Sequence, residues 1–334
     1  MSEVALAQWA VEQAGPFLTA DLRAEGHTRH DLVRALEARA LRSMGRGVLI
    51  ATQLWTSADA RARHRYVVAA RLLQKADGRW LAARRSAAVV HGLPLIGPPP
   101  AVAQLLRAPE GSKTRGRSRH ERVGPLADSE REEVDGIGTC SAARACFDMA
   151  CEEPIRNALV ALDGALRRGT ELSTLLALTR TYAHQSGAIQ AARAIELANG
   201  LHETALESLS WAAAYTGGFP MPEPQMRVFL GTKLLARVDG LWREFNVIGQ
   251  ADGMFKYKDR QGVIADKKQD ETLEDVGFEV CRWGWDEAYR PETGLYDRWR
   301  RAFARGSRQT IDPRVRLVPT TLEESLEWTG LIAS

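Results

Sequence analysis

Apolar residues recur at helical spacing through Val4–Gln13 and Thr19–Ala24, and again from Thr28 to Glu37. In the third stretch Leu32, Ala35 and Leu36 form a face to be buried. His30, Val33, Arg34 and Glu37 line the opposite one. Gly15-Pro16 and Gly26 end the first two helices, and Thr28 with Asp31 three residues on has the spacing of a capping box. Leu41-Arg42-Ser43 and Gly47-Val48-Leu49-Ile50 then predict two small strands across a Gly45-Arg46-Gly47 turn. Helical periodicity returns at Arg61–Gln74, Arg84–His91, Ser141–Met149, Arg156–Arg168, Leu172–Tyr182, Ala188–Leu197 and Glu203–Thr216, with a strand at Ala101–Arg107. Toward the end the pattern shortens to strand-length apolar runs at Met226–Leu230, Ala236–Trp242, Asn246–Ala251 and Phe278–Trp283. A helix over Val263–Val276 precedes the last of them. After Arg290 the chain is polar, with Trp299 and Trp328 as anchors.

This pattern predicts an α+β protein. Residues 1–55 read as a winged helix-turn-helix, 56–199 as a mixed and then mostly helical linker domain, 200–290 as an αβββαβ domain and 291–334 as a tail. At 334 residues the chain exceeds one ordinary core, and its 45% apolar and 26% charged residues are those of a globular protein. The net charge of +3 is too mild to argue for nucleic acid by itself. Between Ala51 and Glu130, however, fourteen Lys and Arg face six acids, which suggests an anionic partner. Within that span Gly111–His120 reads either as a phosphate-contacting arm or as a solvated hairpin tip.

Cys140, Cys146, Cys151 and Cys281 show neither CxxC spacing nor a neighbouring His pattern, so reduced, buried thiols in a cytoplasmic protein are expected. No run approaches the roughly 20 apolar residues of a membrane helix, and no signal peptide is expected. His91, at the end of an apolar helix, reads as a capping or core histidine, and Arg144 with Asp148 as an i,i+4 bridge.

Candidate chemistry sits at Arg237–Tyr257, RVDGLWREFNVIGQADGMFKY. Asp239 lies early in one predicted strand. Gln250 and Asp252 are two apart at the end of the next, and so share a face. An unpaired buried carboxylate costs several kcal/mol, so a metal, a cation or an opening to water must accompany these acids. The alternative to a metal is a salt-bridged edge with Lys256, Lys267 and Arg282.

The stretch resembles the core of the very-short-patch-repair type, a branch of the PD-(D/E)XK nucleases with a restriction-endonuclease-like fold. The resemblance implies Mg²⁺ held by Asp239 and Asp252, Glu207 as a third acid, Gln250 beside them, and Lys256 steadying the transition-state charge while a metal-bound water attacks phosphorus. This chain departs from the pattern at Gln250, where related chains carry Glu, and a neutral amide gives up much of the attraction a hard cation seeks.

Gly26-His27-Thr28-Arg29, Leu32, Leu36, Leu41-Arg42 and Gly47-Val48 are similar to the N-terminal domain of AbiEi-type antitoxins, the autorepressors of type IV toxin–antitoxin pairs. Ser86–Leu93, and Ala142-Ala143-Arg144 with Asp148, are similar to the same family's linker. The resemblance implies double-stranded DNA and a cognate toxin as partners. Arg29, His30 and Arg34 would enter the major groove, with Arg42 and Arg46 on the wing. Arg39 serves either a phosphate or the helix C-terminus. Three functions follow as expectations: a DNA-binding regulator with a degenerate nuclease-like end, a Mg²⁺-dependent DNA endonuclease, and a toxin-binding interaction module.

Overall fold

The computed structural model describes residues 3–75, 77–109, 120–252 and 260–331, with backbone alone at 3–5 and 260–266. Lys256 and residues 111–119 of the basic loop lie outside the described residues. The fold is mixed α+β, in two compact units, Met1–Glu152 and Glu153–Ser334.

The first unit opens with α1 (Glu3–Glu12), β1 (Phe17–Leu18), α2 (Thr19–Ala24), α3 (Arg29–Glu37), β2 (Leu41–Gly45) and β3 (Val48–Ala51). The capping box forms: Asp31 N–H donates to Thr28 Oγ1 at 3.2 Å and Thr28 N–H to Asp31 Oδ2 at 2.8 Å. These strands make an antiparallel sheet in the order β1-β3-β2, with Arg42 opposite Ile50. Gly45 sits at φ +125°, a conformation that residues with a side chain adopt only under strain, so glycine suits the turn. Leu6, Phe17, Leu22, Ala35, Leu41 and Leu49 form the core beneath. Leu36, expected inside, is 37% exposed. It lies about 100° around the helix from Ala35, at the margin of the face that packs.

The same unit continues with α4 (Thr52–Ser57), α5 (Ala60–Leu73), β4 (Leu81–Ala82), α6 (Arg84–Val90), β5 (Leu105–Arg107), β6 (Glu121–Val123), β7 (Arg131–Val134), β8 (Ile137–Cys140) and α7 (Ala142–Glu152). The five strands form one sheet, ordered β6-β5-β4-β8-β7. The strand expected over Ala101–Arg107 shortens to β5 because pairing with β4 covers only Leu105 and Leu106. Arg144 bridges Asp148 as expected and also Glu130, at 3.0 and 2.7 Å, all three buried. His91 Nε2 meets the Cys140 carbonyl at 2.8 Å, and the four cysteines are buried thiols that form no disulfide.

The second unit comprises α8 (Ile155–Leu166), α9 (Leu172–Thr181), α10 (Ala188–Leu197), α11 (Ala205–Thr216), β9 (Glu223–Leu230), β10 (Lys233–Trp242), β11 (Val247–Ala251), α12 (Arg260–Asp275), β12 (Glu279–Trp283), α13 (Trp285–Tyr289), α14 (Leu295–Gly306), β13 (Val315–Pro319) and α15 (Leu322–Trp328). Its sheet runs β12-β11-β10-β9-β13. β9, β10 and β11 are antiparallel neighbours, and β12 lies parallel to β11 after the α12 crossover. One apolar cluster joins Leu206, Leu209, Trp242, Trp283 and Trp299, and another joins Val228, Val238, Ile248, Leu273 and Phe278. The stretch read as a tail supplies α14, whose Trp299 is fully buried, and β13, which pairs with β9. At Gly306 a Cβ would lie 2.3 Å from the Phe245 carbonyl oxygen, so α14 approaches that backbone as closely as a glycine allows.

Candidate functional site

Within the second unit, β10, β11 and the start of α11 border a cleft of about 530 Å³. Asp239, Gln250, Asp252 and Glu207, all singled out from sequence, line it together with Gln225 and Arg282. Strand geometry explains the convergence. Gly240 and Gly249 are the terminal pair of the β10–β11 ladder, and Asp239 Oδ2 accepts the Ala251 N–H at 2.8 Å just beyond it. Gln250 stands opposite Arg282 across the parallel β11–β12 ladder. The same ladder is extended by the Asp252 N–H, which donates to the Trp283 carbonyl.

Each acid has its charge engaged. Asp252, 9% exposed, receives Arg282 Nη1 at 2.6 Å. The same guanidinium grips Asp270 through Nε and Nη2, both at 2.6 Å. Burial alone would lower the Arg282 pKa, but the hydrogen bonds to Asp270 and Asp252 outweigh it and hold the guanidinium still more firmly protonated. Glu207 completes the N-terminal cap of α11. Its Oε1 accepts from Thr204 Oγ1, and its Oε2 accepts from the Glu203 N–H and from Gln225 Nε2, at 2.8 to 3.0 Å. Of the cations expected to neutralise this edge, Arg282 does so, whereas Lys267 among the described residues reaches toward Glu271 at 3.9 Å. Among the described residues no three His, Cys, Asp or Glu side chains lie within reach of one metal ion.

Sequence reasoning missed three parts of the cleft. Gln225, 2% exposed, holds φ +47°, an uncommon conformation for a residue with a side chain, and from there reaches Glu207. Glu203 forms a two-pronged pair with Arg237 at 2.5 and 3.0 Å and also accepts from Ser325 Oγ. Trp328, 62% exposed at the rim, lies 4.8 Å from the Arg237 guanidinium. Polar residues paired across such distances in sequence leave no local signal.

In the first unit Arg29, His30 and Arg34 on α3, and Arg42 and Arg46 on the β2–β3 hairpin, are all exposed. The Arg42 guanidinium lies 4.7 Å over the Trp55 ring, which Arg63 approaches at 5.8 Å. Arg39 takes φ +57° just past the end of α3. No helix among the described residues is long and apolar enough to cross a membrane. The sequence matches no protein-family model, and no curated protein matches it at a significant level.

Proposed function

We propose that this protein is a duplex-DNA-binding transcriptional regulator of the AbiEi antitoxin kind, acting in the cytoplasm, with a nuclease-like domain that has lost efficient hydrolysis. The observation that carries the reading is a capped α3 with exposed Arg29, His30 and Arg34, beside a hairpin with exposed Arg42 and Arg46. A helix of this kind fits the major groove, where arginine pairs with guanine O6 and N7, while hairpin arginines follow the backbone. The test is binding to duplex DNA taken from upstream of its own gene. Arg34→Ala costs about 1–3 kcal/mol if it reads a base. Affinity falls steeply with salt. Binding that survives removal of Arg29, Arg34, Arg42 and Arg46 together overturns the reading. A nucleotidyltransferase-like toxin encoded next door is the partner this reading implies.

The engaged acids support a weak or silent nuclease site. Asp252 is neutralised by Arg282, Glu207 is committed to a helix cap, and Gln250 brings no charge. A second reading, a Mg²⁺-dependent endonuclease, is favoured by the meeting of Asp239, Gln250 and Asp252 in one cleft. Asp239 and Asp252 would hold the ion, with Gln250 beside them and Lys256 steadying the transition-state charge. Plasmid nicking with Mg²⁺ separates the two readings. Robust wild-type cleavage that is lost in Asp239→Ala establishes the enzyme, whereas cleavage confined to Gln250→Glu, or absent from both, keeps the regulator.

A further inference from the structure

The segment 295–308 carries five arginines and one acid, and α14 sorts them by face. Leu295, Trp299, Ala302 and Gly306 are buried, and Gly306 presses on the Phe245 carbonyl, so the helix is fixed in orientation. On α14, Arg298, Arg301 and Arg305 follow one another at intervals of three and four residues, which places them on one side of the helix, and Arg308 stands two residues beyond its end at Gly306. Arg301, Arg305 and Arg308 are exposed and Arg298 is partly so. At 1.5 Å per residue the helical part of the row, Arg298 to Arg305, spans about 10 Å.

We propose that this row is a second DNA-contacting surface, which grips the phosphate backbone of a duplex. It stands on α14 alone and does not depend on the reading of α3. Arginine is the side chain best shaped for phosphate, because its planar fork donates two parallel hydrogen bonds. A strand of duplex DNA advances about 3.4 Å per phosphate, so a row of about 10 Å runs beside about three of them. The local acids engage two arginines of the row and leave two. Glu287 pairs with Arg298 and Glu279 with Arg305, at 2.6 and 2.5 Å, and Asp297 pairs with Arg300 off the row. Among the described residues the Arg301 and Arg308 side chains have no ion pair. A membrane surface does not fit, because the apolar face of α14 is already inside the core and leaves nothing to insert. Sequence-independent backbone contact complements a recognition helix elsewhere by fixing register without reading bases.

The experiment titrates the full-length protein with a duplex of random sequence over a range of salt. It compares wild type, R301A/R308A, R301E/R308E, R301K/R308K and a variant lacking Arg29, Arg34, Arg42 and Arg46. Removing two phosphate contacts lowers the slope of log affinity against log salt by about 2 and weakens binding roughly 60-fold at 0.1 M salt. R301E/R308E weakens it further, while R301K/R308K keeps the slope. Arg301 and Arg308 are exposed, so thermal melts of their variants remain near wild type. Unchanged affinity and slope in R301E/R308E overturn the proposal, and an acidic protein then becomes the partner to seek. If the α3 variant binds as wild type while R301A/R308A loses affinity, the reading of α3 falls and the α14 surface stands. A wild-type protein with no affinity for duplex DNA overturns both.

Discussion

Replacing Arg282 with methionine keeps most of the side-chain volume and deletes the one cation that Asp252 and Asp270 share. Three hydrogen bonds of 2.6 Å disappear together. The side chains left behind are 10% and 22% exposed, and that of Arg282 is 23% exposed, so the site lies between surface and interior. Breaking a fully buried pair costs about 3–5 kcal/mol, and an exposed one about 0–1 kcal/mol. Partial exposure places Arg282→Met at about 2–3 kcal/mol. For a unit of this size that lowers the melting temperature by about 4–12 °C. Urea melts at pH 7 measure it as a lower midpoint with an unchanged slope. Adding Asp252→Asn and Asp270→Asn to Arg282→Met removes the stranded charges and recovers more than half of the loss. Millimolar Mg²⁺ stabilises Arg282→Met more than wild type, because only the variant offers an unneutralised Asp252. A cost below about 0.5 kcal/mol, or no recovery with the asparagines, refutes the argument that these carboxylates are desolvated and held by Arg282.

His64 is buried against Ser86, with Nε2 2.8 Å from the hydroxyl oxygen. Burial brings its pKa from 6.5 to about 4. The unfolded chain therefore takes up a proton before the folded one does. The stability tied to neutral His64 is fully present above pH 6.5 and is lost as pH falls through about 4, a total of about 3 kcal/mol. His64→Gln makes the urea midpoint less sensitive to pH across that window, and parallel curves for the two proteins would contradict the assignment. The four cysteines are buried, and burial drives the thiols of Cys140, Cys146 and Cys281 up to about 12. A thiol reagent at pH 8 leaves the native protein unmodified and counts four groups after unfolding. Rapid stoichiometric labelling of the native chain would show an accessible thiolate.

Periodicity carried the order of helices and strands well. Strand-length apolar runs at Ala236–Trp242 and Asn246–Ala251 mark two neighbouring strands, and Thr28 with Asp31 announces the start of α3 through local chemistry alone. Asp239, Gln250 and Asp252 could be grouped because strand alternation and one short turn determine where they point. The arginines between Ala51 and Glu130 were harder to read. Arg61 and Arg65 donate to the carbonyls of Leu93 and Val90, and Arg71 and Lys75 hold Glu121, so much of that charge is structural. Sequence shows the charge but not the carbonyl it will meet. The row on α14 went unread for the opposite reason. Its buried side is completed by Ala302 and Gly306, small residues with little hydropathy to betray a packed face. Gln225 is less legible still, since nothing in its neighbours demands a positive φ.

The pairing of β13 with β9 has a consequence for how the chain is born. β9 leaves the ribosome about ninety residues before its outer neighbour, Val315–Pro319. Throughout that interval it presents an open row of amide and carbonyl groups, the kind of edge to which another nascent chain can add. Arg227, whose guanidinium later meets the Pro319 carbonyl and Glu324, puts a charge on that edge while it waits. Synthesis that stalls or terminates between residues 251 and 315 thus releases a sheet with a sticky margin, and the last fifteen or so residues of the described chain act as its selvedge.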